Sequence, residues 1–488
     1  MNPASFKSSS TGLVTDLYEL TMAAGYWKTG MAEQEAVFHL FFRKHPFNGG
    51  FTIACGLADA VGFIRQLRFE EDDRKYLAGL TGKSGQPLFE VEFLELLRKL
   101  KFTCDVDAIP EGTVVFPHEP LVRVRGPILQ AQVIETMLLQ IINFQSLIAT
   151  KAARICNAAR GDPVIEFGLR RAQGADGGLA AARAAFVGGC AGTSNVFAGK
   201  ALDIPVKGTH AHSWVMAFAS EAEAFDAYAN AMPDNCILLV DTYDSLDGVR
   251  KAVETGKRLR ASGHELGGIR LDSGDLAYLS IEARRILDEA GFPDAAIVAS
   301  NDLDEHIITS LKEQGAKINV WGVGTRLITA FDEPALGGIY KLAAIRRNDG
   351  AWESKIKLSE QTAKTTTPGI LQVRRFRSEN EFIGDAIFDT RGAAPKEFTI
   401  IDPADLARRK HFAADAPHED LLVPVIRGGE RVGSSPTLRE TQQRKREQLE
   451  MFHPGIKRLV NPHEYPVGLE AGLHQLKTRL VLEMRGEQ

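Results

Sequence analysis

Residues 237–275 read ILLVDTYDSLDGVRKAVETGKRLRASGHELGGIRLDSGD, and the fold prediction depends on the pattern in this stretch. A short apolar run, Ile237 to Asp241, is followed by a helical pattern from Ser245 to Ser262 and then by a second apolar run, Gly268 to Asp272. Continuous apolar strands that alternate with helices are typical of parallel βα units, whose strands are buried on both faces. The stretch therefore predicts two consecutive βα units of a parallel sheet.

The same alternation extends in both directions along the chain and gives about seven units in roughly 180 residues. The other apolar runs are Val164 to Gly168, Ile204 to Gly208, Ala296 to Ser300, Ile318 to Gly322 and Gly338 to Ile345. The other helical patterns are Ser220 to Met232, Leu276 to Ala290 and Asp304 to Gln314. This number of units predicts a closed or nearly closed α/β barrel.

Both ends of the chain have a mixed α+β pattern that differs from the middle. The β-like passages are Ala36 to Phe42, Thr113 to Gly126, Gly369 to Phe376, Glu397 to Ile401 and Leu421 to Val425, and a charged helix is predicted over Pro436 to Met451. We predict an N-terminal α+β domain (1–145), a catalytic barrel (146–345) and a C-terminal segment (346–488) that packs with the N-terminal domain. The predicted fold class is an irregular α/β barrel with an outer α+β domain formed by the N- and C-terminal segments.

Charge and composition exclude several classes of protein. With 58 Lys+Arg against 63 Asp+Glu, the net charge is -5, and no long basic block is present, which argues against nucleic acid or a membrane surface as a partner. The five cysteines are scattered, with no C-x-x-C pair, and fit a reducing cytoplasm. The polar N-terminus lacks the apolar run of a secretory signal, and Gly177 to Leu202 carries Arg183 and Lys200, so it fails as a membrane span.

The segments that follow the apolar runs are all polar or glycine-rich. They read GLRRAQG, KGTHAHSW, DTYD, LDSGD, SND and GVGT in chain order. In α/β barrels the loops after the strands form the active-site face. The sequence therefore predicts that the functional site lies at this end of the barrel.

One strand end has the composition of a phosphate cradle. Glycines in Gly322-Val-Gly-Thr325 let backbone N–H groups converge on an anion, and Thr325 adds a hydroxyl donor. The neighbouring Ser300-Asn301 segment could complete the cradle. A nucleotide P-loop is not predicted, because the glycine required before Gly82-Lys-Ser84 is replaced by Leu77, and we interpret that segment as a surface turn.

Charged residues at the other strand ends allow several interpretations. Four carboxylates could bind Mg²⁺ or ribose hydroxyls or orient a histidine, and these are Asp241, Asp244, Asp272 and Asp275. Three residues are also candidates for helix N-caps, namely Ser273, Asp244 and Asp275. Arg270 should point to the same side of its strand as Asp272. Arg170-Arg171 follows a buried strand, and guanidinium groups bind carboxylate and phosphate in a bidentate way.

The segment Gly208-Thr-His-Ala-His-Ser-Trp214 carries two alternating histidines. An H-x-H pair at a strand end can bind a metal, as in barrel hydrolases, but the later strand ends offer Asp, Arg and Ser rather than further histidines. A single histidine that acts as base or nucleophile, steered by a carboxylate such as Asp241, is favoured.

Taken together, these motifs resemble nicotinate phosphoribosyltransferase, a family with the type II phosphoribosyltransferase fold. The resemblance covers most of the chain up to about Pro368 and rests on the segments TDLYELTM (15–22), EFGLRRAQG (166–174), GTHAHSW (208–214), LVDTYD (239–244), RLDSGD (270–275), SND (300–302) and GVGT (322–325). It implies an ATP-dependent condensation of nicotinate with phosphoribosyl pyrophosphate, for NAD synthesis. It also implies Mg²⁺ bound through the substrate phosphates, ATP as co-substrate and a cytoplasmic homodimer with shared active sites.

The resemblance also implies a role for each matching residue. His212, rather than His210, matches the histidine that ATP phosphorylates, and Asp241 matches the carboxylate that orients it. Tyr18 and Phe167 match aromatics that sandwich the pyridine ring, the tyrosine coming from the partner subunit. The other matches are nicotinate contacts (Arg170, Thr209, Arg270), phosphoribosyl pyrophosphate contacts (Arg171, Ser300, Asn301, Gly322, Gly324, Thr325) and Asp272, a catalytic contact to ribose or magnesium.

Three alternatives are left open by the sequence. A nicotinamide phosphoribosyltransferase shares the fold, the histidine and the R-x-D-S-G pattern, although the Gly-Leu-Arg-Arg segment is similar to the nicotinate branch. A non-catalytic dimer that binds phosphoribosyl ligands is a second alternative. The third is a metal hydrolase that uses the histidine pair.

Overall fold

The computed structural model of the protein describes residues 11–359, 365–392, 395–403 and 405–486. The polar stretch at the very N-terminus, residues 1–10, lies outside the described residues. The chain divides into two compact units. We call Ile148–Pro334 the barrel unit, and we call Met1–Leu147 together with Ala335–Gln488 the terminal unit.

The barrel unit is built from alternating short strands and helices, as the hydrophobic pattern predicts. Its strands are β6 (Val164–Glu166), β7 (Gly192–Thr193), β8 (Ile237–Leu239), β9 (Gly268–Leu271), β10 (Ala296–Ala299) and β11 (Val320–Val323). Its helices are α7 (Gly174–Gly188), α8 (Val196–Leu202), α9 (His212–Met216), α10 (Glu221–Ala231), α11 (Ser245–Ala261), α12 (Leu276–Glu289), α13 (Glu305–Glu313) and α14 (Thr325–Ile328), preceded by the long helix α6 (Glu135–Ala158).

The six strands form one parallel sheet in the order β7-β6-β11-β10-β9-β8. Ile165, Leu238, Ile269 and Ile297 on these strands are at most 5% exposed, which explains why the strands are continuous apolar runs rather than alternating ones. A further parallel bridge joins Thr193 to Val206, so the predicted strand at 204–208 contributes one bridge at the edge of the sheet. Within the described residues this sheet has two edges, so the unit is an open, irregular α/β barrel rather than the closed or nearly closed one that the number of units predicts. The predicted fold class is confirmed.

The assignment of one predicted strand to the barrel is wrong. The apolar run Gly338 to Ile345 forms β12 (Ile339–Arg346), which pairs antiparallel with β1 (Glu35–Phe41) of the terminal unit. The apolar pattern shows that a segment is a buried strand, but not which sheet it joins. In its place the barrel contains β7, which is only two residues long and lies in the Ala- and Gly-rich stretch.

The first part of the terminal unit combines helices with antiparallel strands. Its helices are α1 (Leu17–Lys28), α2 (Leu57–Gln66), α3 (Glu71–Ala78), α4 (Val91–Lys99) and α5 (Ile128–Gln132). Its strands after β1 are β2 (Thr52–Ile53), β3 (Asp105–Ala108), β4 (Val114–Val115) and β5 (Val122–Pro127). The C-terminal part adds β13 (Trp352–Ser354), β14 (Leu371–Ser378), β15 (Glu381–Asp389), β16 (Phe398–Ile401), β17 (Arg409–Phe412), β18 (His418–Asp420), β19 (Val423–Arg427), β20 (Glu430–Arg431), α15 (Leu438–Glu450), β21 (Val467–Glu470) and α16 (Ala471–Arg485).

Strands from both chain ends share one sheet of the terminal unit. Its order is β13-β12-β1-β5-β3-β19-β20, whereas a second sheet, β17-β16-β21-β15-β14-β18, is built from the C-terminal part. The prediction that the two chain ends combine in one α+β unit is therefore correct. One helical span of the described chain, Ile128–Ala158, is long and apolar enough to cross a membrane, but 61% of its most apolar window is buried inside the protein, as expected of a core helix.

Candidate active site

The carboxyl ends of β8, β9 and β10 are joined by hydrogen bonds between their polar residues. Asp241, after β8, accepts from the backbone N–H of Asp272 (2.9 Å) and from the Ser273 hydroxyl (2.7 Å). Asp272, after β9, accepts from the Ser300 hydroxyl after β10. The structure thus brings three of the predicted strand ends into one cluster of side chains.

His212 opens α9 beside this cluster. Its Nδ1 lies 3.2 Å from the Thr242 hydroxyl, and its Nε2 lies 3.8 Å from Oδ2 of Asp272. The side chain is 40% exposed, so one face of the ring is open to a ligand. Asp272, rather than the predicted Asp241, is the carboxylate beside this histidine, because Asp241 instead holds the backbone of the next loop. Thr242 was not among the predicted site residues, although it lies in the DTYD segment between the predicted Asp241 and Asp244.

His210 has a different environment from His212. It is 8% exposed, and its Nε2 accepts a hydrogen bond from the backbone N–H of Leu239 (3.2 Å). Burial lowers the pKa of His210 to about 4, so the ring is neutral at neutral pH. One ring nitrogen of His210 is therefore used by the β8 backbone, whereas His212 makes no such backbone contact in the described structure. Across the described part of the chain, no group of three or more His, Cys, Asp or Glu side chains could hold a metal ion.

Arg270 supplies a half-buried positive charge to the same site. Its guanidinium donates a hydrogen bond to the Thr209 hydroxyl, while its Nε is buried without a partner among the described residues. Burial lowers the pKa of Arg270 from its ordinary value, and the nearby carboxylates of Asp272 and Asp241 act against this. A half-buried guanidinium whose Nε has no partner among the described residues is suited to an anionic ligand, since leaving it unpaired has an energetic cost.

The aromatic ring of Phe167, which follows β6, packs against Gly322 of β11. A Cβ atom at position 322 would lie 2.6 Å from this ring, so the close contact requires a glycine. The Phe167 backbone N–H donates to the carbonyl of Val323 (2.8 Å). Behind it, the carboxylate of Glu166 is 1% exposed and accepts from the Gly168 N–H and the Thr193 hydroxyl. Burial raises the pKa of Glu166, a residue that the sequence did not single out.

The other predicted site residues are more exposed. Arg170, Arg171 and Asn301 are exposed, and Asn301 has a positive φ of 115°, a backbone strain that is common at functional sites. Thr325 is the first residue of α14, directly after Gly324. Tyr18 lies on α1 of the terminal unit and is 47% exposed.

Two of the predicted helix caps are confirmed. Asp244 accepts from the Asp247 N–H to cap α11, and Asp275 accepts from the Tyr278 N–H to cap α12. Ser273 caps neither helix, because its hydroxyl donates to Asp241.

An open α/β barrel with a histidine, carboxylates, a half-buried arginine and a glycine loop at its strand ends has the architecture of a type II phosphoribosyltransferase. A solved nicotinate-nucleotide pyrophosphorylase from Pyrococcus furiosus has the same fold, with a TM-score of 0.65 at 23% identity over 91% of this chain and 96% of that one. The crystal structure of human nicotinic acid phosphoribosyltransferase is more similar, with a TM-score of 0.83 at 31% identity over 96% of this chain and all of that one.

Sequence comparisons define the family. Family models match the nicotinate phosphoribosyltransferase N-terminal domain over residues 13–143, the nicotinate phosphoribosyltransferase family over 163–381 and the C-terminal domain over 372–477. The nicotinate phosphoribosyltransferase of Bacillus subtilis is 42% identical over 99% of both chains, and that of Homo sapiens is 33% identical over 97% of both. The chain belongs to the nicotinate phosphoribosyltransferase family.

Proposed function

We propose that the protein is an ATP-coupled nicotinate phosphoribosyltransferase of NAD biosynthesis. Nicotinate, phosphoribosyl pyrophosphate, ATP and water give nicotinate mononucleotide, pyrophosphate, ADP and phosphate. Family membership supports the transferase reaction. The observation that carries the ATP coupling is the contrast between the two histidines, because His212 is open beside Asp272 whereas His210 is buried and bonded to β8.

In the transfer step, the pyridine nitrogen of nicotinate forms a bond to the ribose anomeric carbon as the bond to pyrophosphate breaks. The ribose centre then carries oxocarbenium character, so the site has to stabilise charge more than it has to move a proton. Arg270, with its unused buried Nε, is suited to the nicotinate carboxylate, and the ring of Phe167 provides a stacking face. The ribose and phosphate groups would be bound by the loop from Gly322 to Thr325 together with Ser300, Asn301 and Arg171.

The donor atoms beside His212 fit Mg²⁺ that arrives with the substrate phosphates. Oδ1 of Asp241 is buried without a partner among the described residues, and the Asp272 side chain is 35% exposed. Magnesium prefers one or two carboxylate oxygens together with phosphate oxygens, so Asp272 is the protein ligand that we propose. When bound, the ion would neutralise the charge of the departing pyrophosphate.

In the ATP step, His212 accepts the γ-phosphoryl group, with ADP as the leaving group, and water later releases it as phosphate. A phosphorylated ring would add negative charge and acceptor oxygens beside the pyrophosphate position. The exposed side of His212 provides the access that such a transfer needs.

We also propose a cytoplasmic homodimer with shared active sites. Several large apolar side chains that follow the strand ends of the barrel are exposed in the single chain, including Leu169 (40%), Val196 (71%), Met216 (66%) and Tyr243 (67%). Exposed apolar residues around a polar site are typical of an interface. Tyr18 is itself exposed and would serve the partner's site. The five cysteines form no disulfide in the described structure, which fits a reducing compartment.

Incubation with γ-labelled ATP tests the mechanism. We expect an acid-labile, base-stable label on the wild type and on His306→Ala, which removes an exposed histidine of α13, but none on His212→Ala. A label that survives in His212→Ala would overturn the assignment. Product analysis with nicotinate and nicotinamide in competition tests the substrate, and nicotinamide mononucleotide as the main product would favour the sister reaction.

A further inference from the structure

Thr242 makes a contact with His212 that no predicted role explains. It lies directly after Asp241 on the loop between β8 and α11, and its hydroxyl oxygen is 3.2 Å from Nδ1 of His212. The carboxylate on the other side of the ring is 3.8 Å from Nε2, beyond ordinary hydrogen-bond distance. Within the described structure, the Thr242 hydroxyl is therefore the hydrogen-bond partner that fixes the orientation of this ring.

The two contacts also determine where the proton of the neutral ring lies. A carboxylate accepts hydrogen bonds, so Asp272, 3.8 Å from Nε2, favours a proton on that nitrogen. The hydroxyl of Thr242 can donate, and it therefore matches an Nδ1 that carries a lone pair. Together the two contacts favour the tautomer with its proton on Nε2 and its lone pair on Nδ1.

The loop that carries Thr242 is held on both sides, so the position of the hydroxyl is well defined. On one side, Asp241 accepts from the Asp272 N–H (2.9 Å) and the Ser273 hydroxyl (2.7 Å). On the other, Asp244 accepts from the Asp247 N–H (2.8 Å) and anchors the loop to the start of α11. Threonine is also β-branched, which restricts its χ1 rotation.

We propose that Thr242 is a positioning residue for phosphoryl transfer from ATP to His212. In this step the bond from the γ-phosphorus to the β,γ-bridging oxygen breaks, a P–N bond forms at the ring nitrogen that carries no proton, and ADP leaves with the electron pair. The Thr242 hydroxyl holds the ring in the reactive tautomer and orientation before the attack. It then releases the nitrogen and donates to a phosphoryl oxygen. This inference rests on the proposed phosphohistidine function.

Substitutions that differ by one group test the role of the hydroxyl. Thr242→Val keeps the shape and removes the hydroxyl, Thr242→Ser keeps the hydroxyl and removes the methyl group, and Thr242→Ala provides a second variant without a hydroxyl. We expect the rate of acid-labile labelling from γ-labelled ATP to fall about 3- to 10-fold in the Val and Ala variants, the size of one net hydrogen bond. Thr242→Ser should label at close to the wild-type rate. Thr309→Val, whose hydroxyl donates to the Glu305 carbonyl on α13, is the matched control and should also label normally.

The outcomes separate this inference from the function on which it rests. If the wild type itself acquires no acid-labile label, the proposed function fails. If the wild type is labelled and both the Val and Ala variants label as fast as the wild type, the positioning role is wrong. It is also wrong if Thr242→Ser is as slow as Thr242→Val, because the methyl group and not the hydroxyl would then matter. Circular dichroism of each variant checks that it is folded, and the Ala variant replaces the Val variant if the latter does not fold.

Discussion

Arg270 is a half-buried cation whose Nε has no partner among the described residues, and its substitution tests how the nicotinate carboxylate is bound. Arg270→Lys keeps the charge but loses the planar fork that pairs with a carboxylate through two hydrogen bonds. We expect the KM for nicotinate to rise about 10- to 100-fold, which corresponds to the loss of roughly 1.4 to 2.8 kcal/mol of binding free energy. Steady-state kinetics with nicotinate as the varied substrate measures this change.

The matched control for this prediction is Arg250→Lys. Arg250 is exposed on α11, in the same unit as Arg270, and its replacement should leave the KM for nicotinate unchanged. An unchanged KM in Arg270→Lys would mean that another residue binds the carboxylate.

The two histidines show how far residue types alone can locate a site. The alternation in Gly208 to Trp214 predicts that at least one histidine faces the strand ends, but alternation does not say which. His210 is excluded only by its tertiary partner, the backbone N–H of Leu239, which lies 29 positions further along the chain. The role of Asp241 also depends on tertiary partners, because the Asp272 N–H and the Ser273 hydroxyl that it accepts from follow the neighbouring strand. Family resemblance, rather than spacing, separated His212 from His210.

At the scale of secondary-structure elements, the approach of β6 and β11 depends on Gly322. A Cβ at this position would lie 2.6 Å from the ring of Phe167, so Gly322→Ala has to displace the ring. We expect a loss of about 1 to 3 kcal/mol in the free energy of unfolding, as for other overpacked sites. We also expect a higher KM for nicotinate, because the stacking face moves.

A helical glycine provides the comparison. Gly177 on α7 has nothing within 4 Å of its added Cβ, so Gly177→Ala should raise the stability by roughly 0.5 to 1 kcal/mol. Urea denaturation of both variants measures the difference. Equal stabilities for the two variants would show that the ring of Phe167 adapts without cost.

Helices α6 and α13 are joined inside the barrel unit by a buried ion cluster. Both Lys151 and Arg154 lie 2.8 Å from the carboxylate of Glu305, and all three side chains are at most 2% exposed. Burial alone would raise the pKa of Glu305, but the two cations outweigh it and hold the pKa below its ordinary value. Glu305→Gln leaves both cations without their carboxylate, and we expect it to cost about 3 to 5 kcal/mol of stability at neutral pH.

The stability difference between the wild type and Glu305→Gln depends on pH, and its direction follows from the lowered pKa of Glu305. A carboxylate with a lowered pKa contributes stability above its unfolded pKa of about 4.3, and the contribution is lost as the pH falls through the folded pKa. The gap in unfolding free energy between the wild type and Glu305→Gln should therefore narrow between about pH 4 and pH 2. A gap that stays constant over this range would show that Glu305 is not ionised in the folded protein.

Apolar periodicity identifies the elements of this fold better than it assigns their partners. Strands β6, β8, β9, β10 and β11 are recognisable because burial on both faces gives continuous apolar runs. β12 has a similar composition, but its partner is β1, about three hundred residues earlier in the chain, and local pattern carries no information about such pairing. β7 has only two residues and gives no pattern to detect.

At the scale of the whole molecule, a shared site requires residues from two chains. Tyr18 is exposed on the terminal unit, whereas His212 lies in the barrel unit, and both belong to the set of proposed active-site residues. If the tyrosine of one subunit completes the site of the other, a dimer of Tyr18→Ala with His212→Ala subunits has one site with both defects and one site with neither.

Mixing the two variants therefore tests the shared site directly. Each variant alone should form nicotinate mononucleotide slowly in the presence of ATP. After the subunits are exchanged at equal concentrations, half of the dimers are mixed and half of their sites are intact, so we expect about one quarter of the wild-type activity. Co-purification of untagged His212→Ala subunits with affinity-tagged Tyr18→Ala subunits is the control that shows that the subunits have exchanged. If the two kinds of subunit co-purify and the Tyr18→Ala mixture with His212→Ala shows only the average activity of its two components, both residues act within one chain.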